Sequence, residues 1–388
     1  MFIQLIPMKI SLITTIQHFK QATVFLGAVI GLAGAAGTIC DAQTEKAVDT
    51  TPAQKIPSRT TPKGYVCYRA REPIQIDGRL DDDAWKTAPW TDPFVDIEGD
   101  VRPRPRFQTR AKMLWDDTYF YVAALLEEPH VWGTLKKHDS VIFQDNDFEI
   151  FIDPDGDNHE YYEIEINALN TEWDLFLKKA YRDGGPAINQ WEVPGLRTAV
   201  HVSGTLNIPE DRDTSWSVEF AIPWKALAAF AHRPTPPLDG DQWRVNFSRV
   251  EWQHEIGGGK YRKVPNTRED NWVWSPQGVV DMHRPERWGH VQFSTAAPGQ
   301  VVYQSDPAGP IRDRLMLIYY AQKSYFRQNK HWATTLDDLK LPDPKGLPEQ
   351  TTKITLAPGG YEAAITFSPP GRKPENWTIR QDSRIQKR

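Results

Sequence analysis

QDNDFEIFIDPDGDNHEYYEIEIN, residues 144–167, places nine carboxylates in twenty-four positions, and its reading decides the fold. Side chains alternate between the two faces of a strand. In DFEIFID, Phe148, Ile150 and Ile152 point one way, and Asp147, Glu149, Phe151 and Asp153 the other. In YYEIEIN, Tyr162, Ile164 and Ile166 form an apolar set opposite Tyr161, Glu163, Glu165 and Asn167. Pairing the apolar sets over a core predicts a β-hairpin. It gathers Glu149, Glu163, Glu165 and Asn167 on a second face beside Phe151 and Tyr161, and that face is the candidate site. Like charges opposed across a sheet destabilise it. The face is therefore a solvated surface, a cation site, a pair of catalytic acids or a polar grip for a hydroxyl-rich ligand.

The turn between the strands, DPDGDNHE (153–160), holds Asp153, Asp155 and Asp157 at alternate positions, an oxygen density that suits calcium. The EF-hand pattern fails, because Asn158 stands where its glycine belongs and Ile164 where its bidentate glutamate belongs. A turn rich in Asp, Gly and Pro for backbone reasons is the plain alternative.

Outward from the hairpin, short runs rich in β-branched and aromatic residues recur from Gly64 to Phe293, among them RFQTRAKMLWD, YFYVAALLE, SWSVEFAI and QWRVNFSRVEW. Their spacing predicts an all-β protein, an antiparallel jelly-roll or immunoglobulin-like β-sandwich over residues 64–296. Helical signals are few: DDDAWKTA (81–88), and IPWKALAAF (222–230) opened by Pro223. Residues 297–388 read as a small α+β C-terminal extension. IRDRLMLIYYAQKSYFRQNK (311–330) has helical spacing, WATTLDDLKLP offers a helix start at Thr334 or Thr335, and YEAAITF and WTIRQDSRI look like a strand pair.

Upstream, Lys9 and Lys20 precede the small-residue apolar segment AVIGLAGAAGTIC (28–40), so residues 1–42 read as a secretory signal cleaved near Ala42, or as an anchor. Cys40 adds the option of lipidation. The expected location is exported: periplasm, cell surface or outside the cell. Residues 43–63, rich in threonine and proline, read as a linker. A net charge of −5 gives no electrostatic reason to expect nucleic acid. Two cysteines rule out a disulfide framework. Fifteen tryptophans, thirteen of them between Trp85 and Trp288, suit a packed core with some rings left as binding platforms. There is no GxSxG, no HExxH and no phosphate-binding glycine loop.

IDGRLDDDAW (76–85), TRAKMLWDDTYFYVAALLEEP (109–129), DNDFEIFIDPDGDNHEYYEIEIN, SWSVEFAIPWKAL (215–227) and WRVNFSRVEW (243–252) follow one another in order. The series resembles the family 9 carbohydrate-binding modules over residues 65–295. The resemblance implies a jelly-roll-like sandwich supported by calcium, often joined to xylan- or cellulose-degrading enzymes, in which two tryptophans clamp a sugar. The family's first tryptophan, six places before a strand glutamate, falls on Phe143, and the glutamate on Glu149. Its asparagine three places before the second tryptophan falls on Asn271, with Trp274 as that tryptophan. The family's arginine has no counterpart between Arg110 and Arg182, and Arg249 would approach from another strand. The expectation is non-catalytic binding of an oligo- or polysaccharide through Phe143, Glu149, Glu163, Asn167, Arg249, Asn271 and Trp274. Asp153, Asp155 and Asp157 would hold calcium, and a partner enzyme or envelope protein would meet the C-terminal extension. The rivals are a glycoside hydrolase using Glu149 and Glu163, and a haem-binding redox module with Met113, Met282 or a histidine as axial ligand.

Overall fold

The structure, a computed structural model, describes residues 61–341, 350–369 and 371–388. The export segment 1–42 and most of the linker 43–63 lie outside the described residues. Among the described residues no helix is long and apolar enough to cross a membrane.

The hairpin forms as its alternation predicts. Asp147–Asp153 pairs antiparallel with His159–Asn167, setting Glu149 opposite Glu165 and Ile150 opposite Ile164. It belongs to a thirteen-stranded sheet. From the hairpin the sheet continues through Gln242–Glu251, Gly289–Ser294, Gly64–Arg69, Thr109–Trp115, Tyr119–Glu127 and Ser215–Pro223 to Arg197–Ser203. The sheet curls until its two halves share one core. Phe148, Ile150 and Ile164 from the hairpin meet Val122, Val218 and Phe220 from the other half. The rings of Phe148 and Phe220 lie 6.0 Å apart.

The expected all-antiparallel pairing is corrected at one place. Gly64–Arg69 runs parallel to both neighbours, Gly289–Ser294 and Thr109–Trp115. Parallel strands need a long crossover between them, and the segment 70–108 supplies one, with the short helix Asp83–Thr87 inside it. Trp85 of that helix is fully buried. Its indole donates to Glu219 (2.6 Å), which also accepts the backbone N–H groups of Asp77 and Gly78. Gly78 has φ +84°, and a Cβ there would stand 2.5 Å from the backbone of His201. The IDG motif is thus a turn clasped by one carboxylate. The second predicted helix shortens to Trp224–Leu227, because the strand before it runs through Pro223.

In the C-terminal extension the helix Gly309–Asn329 buries Ile311, Leu315, Ile318 and Tyr319 on one stripe. A four-stranded antiparallel sheet, Gln350–Ala357 to Ile385–Lys387, turns Tyr361, Ala363, Ile365 and Phe367 against it. The helix expected near Thr334 is absent, and residues 334–340 form turns. Pro342 disfavours helix at the residue before it, which leaves too little chain for a stable one.

The acidic turn 153–160, read from the sequence as a calcium loop or a plain backbone turn, is also the seat of this extension. Asp157 takes an ion pair from Arg384 (2.7 Å), and its carbonyl accepts from the Ile385 N–H. Asn158 donates to the Ser383 carbonyl (2.9 Å), and the His159 ring meets the Asp382 carbonyl (2.7 Å). Asp183 accepts from the Tyr319 and Ser383 hydroxyls and pairs with Lys323.

Candidate functional site

The second face of the hairpin is covered. Phe151, Tyr161, Trp173, Leu175, Val273, Met282 and Trp288 make a smaller apolar cluster over it. Glu149 is 4% exposed, Glu163 2% and Asn167 0%. Strand alternation separates two faces but does not say whether loops lie over the polar one, and here they do. Asn167 is fully engaged by its neighbours. Its amide donates to the Leu135 carbonyl and to Asp145, and its oxygen accepts from the Leu169 and Thr171 N–H groups. Glu163 lies 4.0 Å from the ring of His283.

At the Asn167 end of the strands, where Asp147 stands opposite Asn167, the carboxylates gather. Ligand oxygens of Asp147, Glu149 and Glu165 lie within 4.8 Å of one another, all buried. Asp147 accepts from the Val250 N–H (3.1 Å). Burial, and then the charge of Glu149, push its carboxyl well above the usual range. Glu165 accepts the N–H of Phe143 (3.0 Å), which ties the 142–144 turn above the cluster. Phe143 passes the link on, since its carbonyl accepts from the Trp252 indole (2.9 Å). The Trp252 N–H donates to Asn146 (2.8 Å). Lys263 Nζ stands 3.5 Å above the Trp252 ring and 3.2 Å from Gln144 Oε1. Phe143, Trp252 and Lys263 are each half-buried. Two half-buried rings and a cation thus lie next to a cluster of three buried acids.

Arg249 and Trp274 do not join it. In the register, Ser248 opposes Glu149, so Arg249 points with Phe148 to the other face. Trp272 opposes Arg249, and Trp274 follows on that same side. Trp274 is 1% exposed and packs on Tyr65 and Phe247 in the main core. It lies so close to Gly289 that a Cβ there would come within 2.4 Å of the indole. Arg249 is buried in a cluster of its own, paired with Glu128 (2.7 Å) and Glu251 (2.8 Å) and bonded to Thr109 and the Glu127 carbonyl. Burial, together with Glu251, pushes the Glu128 carboxyl up to about 9 against the pull of Arg249. The expected convergence of Glu149 with Trp274 and Arg249 is therefore corrected: they lie on opposite faces of one sheet. Asn271, opposite Val250, stays on the Glu149 face and is half-buried.

The sequence reading missed Trp252 and Lys263; it put Glu165 on the candidate face and Asp147 on the Glu149 side of its strand, but included neither among the binding residues. A signal for the first was there: in WRVNFSRVEW, Trp252 shares parity with Ser248 and Val250, whereas Arg249 shares it with Trp243, Val245 and Phe247. The proposed hydrolytic pair also changes character. Glu149 and Glu163 are both buried, whereas glycoside cleavage needs room for a sugar between the acids. Met113 and Met282 belong to different cores and face no common hollow.

Asp153, Asp155 and Asp157 also bring ligand oxygens within 4.8 Å. Burial, and then the Asp157 charge, push Asp155 up to about 6, and burial with both neighbours raises Asp153. A divalent cation would relieve that repulsion. Some of the oxygens are already engaged: Asp153 accepts the N–H groups of Gly156 and Asn158, and Asp157 holds Arg384.

Residues 76–240 match the family model described as carbohydrate family 9 binding domain-like. Among solved structures, a proposed carbohydrate-binding protein from Bacteroides uniformis aligns at 17% identity, covering 60% of this chain and 100% of that one, with a TM-score of 0.45. A family 9 carbohydrate-binding module from Caldicellulosiruptor kristjanssonii in complex with cellotriose aligns at 16% identity, over 63% of this chain and 100% of that one, with a TM-score of 0.40. Its glucose complex aligns at 16%, over 61% and 98%, with a TM-score of 0.39. No curated protein matches the chain.

Proposed function

Residues 76–240 being a carbohydrate family 9 binding-domain-like segment, we propose that this protein binds carbohydrate without transforming it, at the rim formed by Phe143 and Trp252. The observation that carries the reading is the chain of hydrogen bonds from Glu165 through Phe143 to Trp252. It holds two partly open rings over buried acceptors. Rings stack on the C–H face of a pyranose, and carboxylates accept hydrogen bonds from adjacent hydroxyls, which is the mix of apolar wall and few aimed polar groups that small-ligand sites use. Glu149 is the deep acceptor, and Asn271 approaches from the neighbouring strand.

A glycan array followed by calorimetric titration of the best oligosaccharide tests this. Trp252→Ala is expected to weaken binding by about 1–3 kcal/mol, the size of a hot-spot loss. An unchanged titration curve overturns the assignment. Calcium at Asp153, Asp155 and Asp157 belongs to the same proposal. It predicts a higher melting temperature with calcium than with a chelator; identical values remove it. Export through residues 1–42, with action beside a polysaccharide-degrading partner or an envelope protein met by the C-terminal extension, belongs to the proposal too; the apolar run 28–40 supports the export.

A further inference from the structure

A cavity of about 550 Å³ lies between the strand Gln242–Glu251 and the C-terminal extension. Its lining is ionic, and most of the charges are paired off. Arg233 pairs with Asp241 (3.1 Å), Arg312 with Asp306 (2.8 Å) and Lys387 with Glu375 (2.8 Å). Among the described residues Arg244, Asp155 and Arg372 make no ion pair, and of the three only Arg244 is buried. It is 4% exposed and its one hydrogen bond goes to the neutral amide oxygen of Asn158 (2.6 Å). Among the described residues no carboxylate forms an ion pair with it. A guanidinium taken out of water without an anion is costly, and such groups are ordinarily paired.

The surroundings sharpen the imbalance. Burial, and then the nearby charge of Arg312, pull the Arg244 pKa down. The same two arginines, adding to burial, press His290 on the cavity wall to about 3, so the imidazole is neutral and supplies no extra positive charge. Asp153, opposite Arg244 in the register, offsets it in part, as do Glu286 and Asp313, but none of them forms an ion pair with it, and both Asp153 oxygens accept backbone N–H groups. Arg372, exposed at the cavity's edge, likewise makes no ion pair among the described residues. Two donors, Arg233 Nε and Arg312 Nε, and one acceptor, Gln242 Oε1, lack hydrogen-bond partners among the described residues. An occupant that meets this lining carries an anionic group and hydroxyls together.

We propose that this cavity binds an acidic sugar unit, a pyranose bearing a carboxylate or a sulfate ester, with Arg244 as the partner of its anion and Arg372 at the entrance. The site is separate from the Phe143–Trp252 rim and does not depend on it. The volume accommodates a small saccharide, since ligand pockets run from roughly 300 to 1,000 Å³.

The test is calorimetric titration of the full chain with glucuronic acid, glucose 6-sulfate, glucose and inorganic sulfate. One of the two acidic sugars is expected to bind, more weakly as salt rises, and which one tells a carboxylate site from a sulfate site. Arg244→Gln should cut that affinity about 10- to 100-fold, as loss of a charge-assisted hydrogen bond does, while Trp252→Ala leaves it unchanged. Should Arg244→Gln fail to fold, Arg372→Glu, at an exposed position, is expected to cut it about tenfold. Absence of binding by both acidic sugars overturns the proposal. So does affinity unchanged in Arg372→Glu, or inorganic sulfate binding as tightly as either sugar. Loss of oligosaccharide binding only in Trp252→Ala reports on the other site, so the two readings fail independently.

Discussion

The face of the strands Asp147–Asp153 and Gln242–Glu251 that turns away from the main core carries opposite charge at its two ends. Asp147 and Glu149, beside Ser248, sit with Glu165 in an acidic cluster at one end. Arg244, opposite Asp153, faces a cavity with Arg312 at the other. At about 3.3 Å per residue the two ends are roughly 20 Å apart. The difference shows how one covered sheet face can hold two polar sites: an apolar partition keeps them separate. Trp288, fully buried and in ring contact with Phe151 (5.4 Å) and Tyr161 (5.1 Å), is the centre of that partition.

The largest test of the comparison is therefore Trp288→Ala. Cutting a buried indole to a methyl is expected to cost about 3–5 kcal/mol in a urea titration, and a loss under about 1 kcal/mol would break the idea of a shared partition. Acid titration comes next, at Glu286, a buried acid of the covering segment 277–288 that pairs with Arg182 (2.9 Å). Burial works to raise Glu286, but Arg182 and Arg284 outweigh it and hold the carboxyl at about 2. A depressed carboxyl gives stability that is present above its ordinary value of 4.5 and lost as pH falls toward 2. Glu286→Gln should remove about 2–3 kcal/mol at pH 7 and flatten the acid limb of a melting-temperature profile.

The acidic end answers with the opposite sign. Asp147 is raised by burial and by Glu149, so its contribution is full at low pH and is lost as pH rises through its elevated pKa. Asp147→Asn is expected to raise the melting temperature at pH 8 relative to the parent and leave it alike at pH 4; equal shifts at both would contradict the sign. The smallest effect belongs to Lys263→Met. Removing the ammonium above Trp252 is expected to change oligosaccharide affinity by about 0.5–1 kcal/mol, measured by the same titration as Trp252→Ala.

The hairpin's inner face was legible in the sequence because burial and alternation agree there: Phe148, Ile150 and Ile152 all reach the core. The same held for the long C-terminal helix. The second face was not legible, because its cover includes the aperiodic segment QGVVDMHRPERW (277–288), which carries no strand or helix period to place it. Trp274 misled for a different reason. Its spacing from Asn271 matches the family pattern, but strand parity puts Arg249, opposite Trp272, on the Phe247 side of the sheet, and Trp274 follows it there. Glu128 illustrates a third limit: only its meeting with Arg249 and Glu251 across 120-odd residues makes it a buried acid.

The parallel strand Gly64–Arg69 has a consequence for synthesis. It is wedged between neighbours that emerge about 40 and 220 positions later in the chain, so the sheet stays split until Gly289–Ser294 has left the ribosome. Contacts this distant in sequence slow folding, since loop closure precedes their reward. A nascent chain halted near residue 240, where the family match stops, has no seam-closing strand, and its first and second halves expose their unpaired edges to any holdase that meets them.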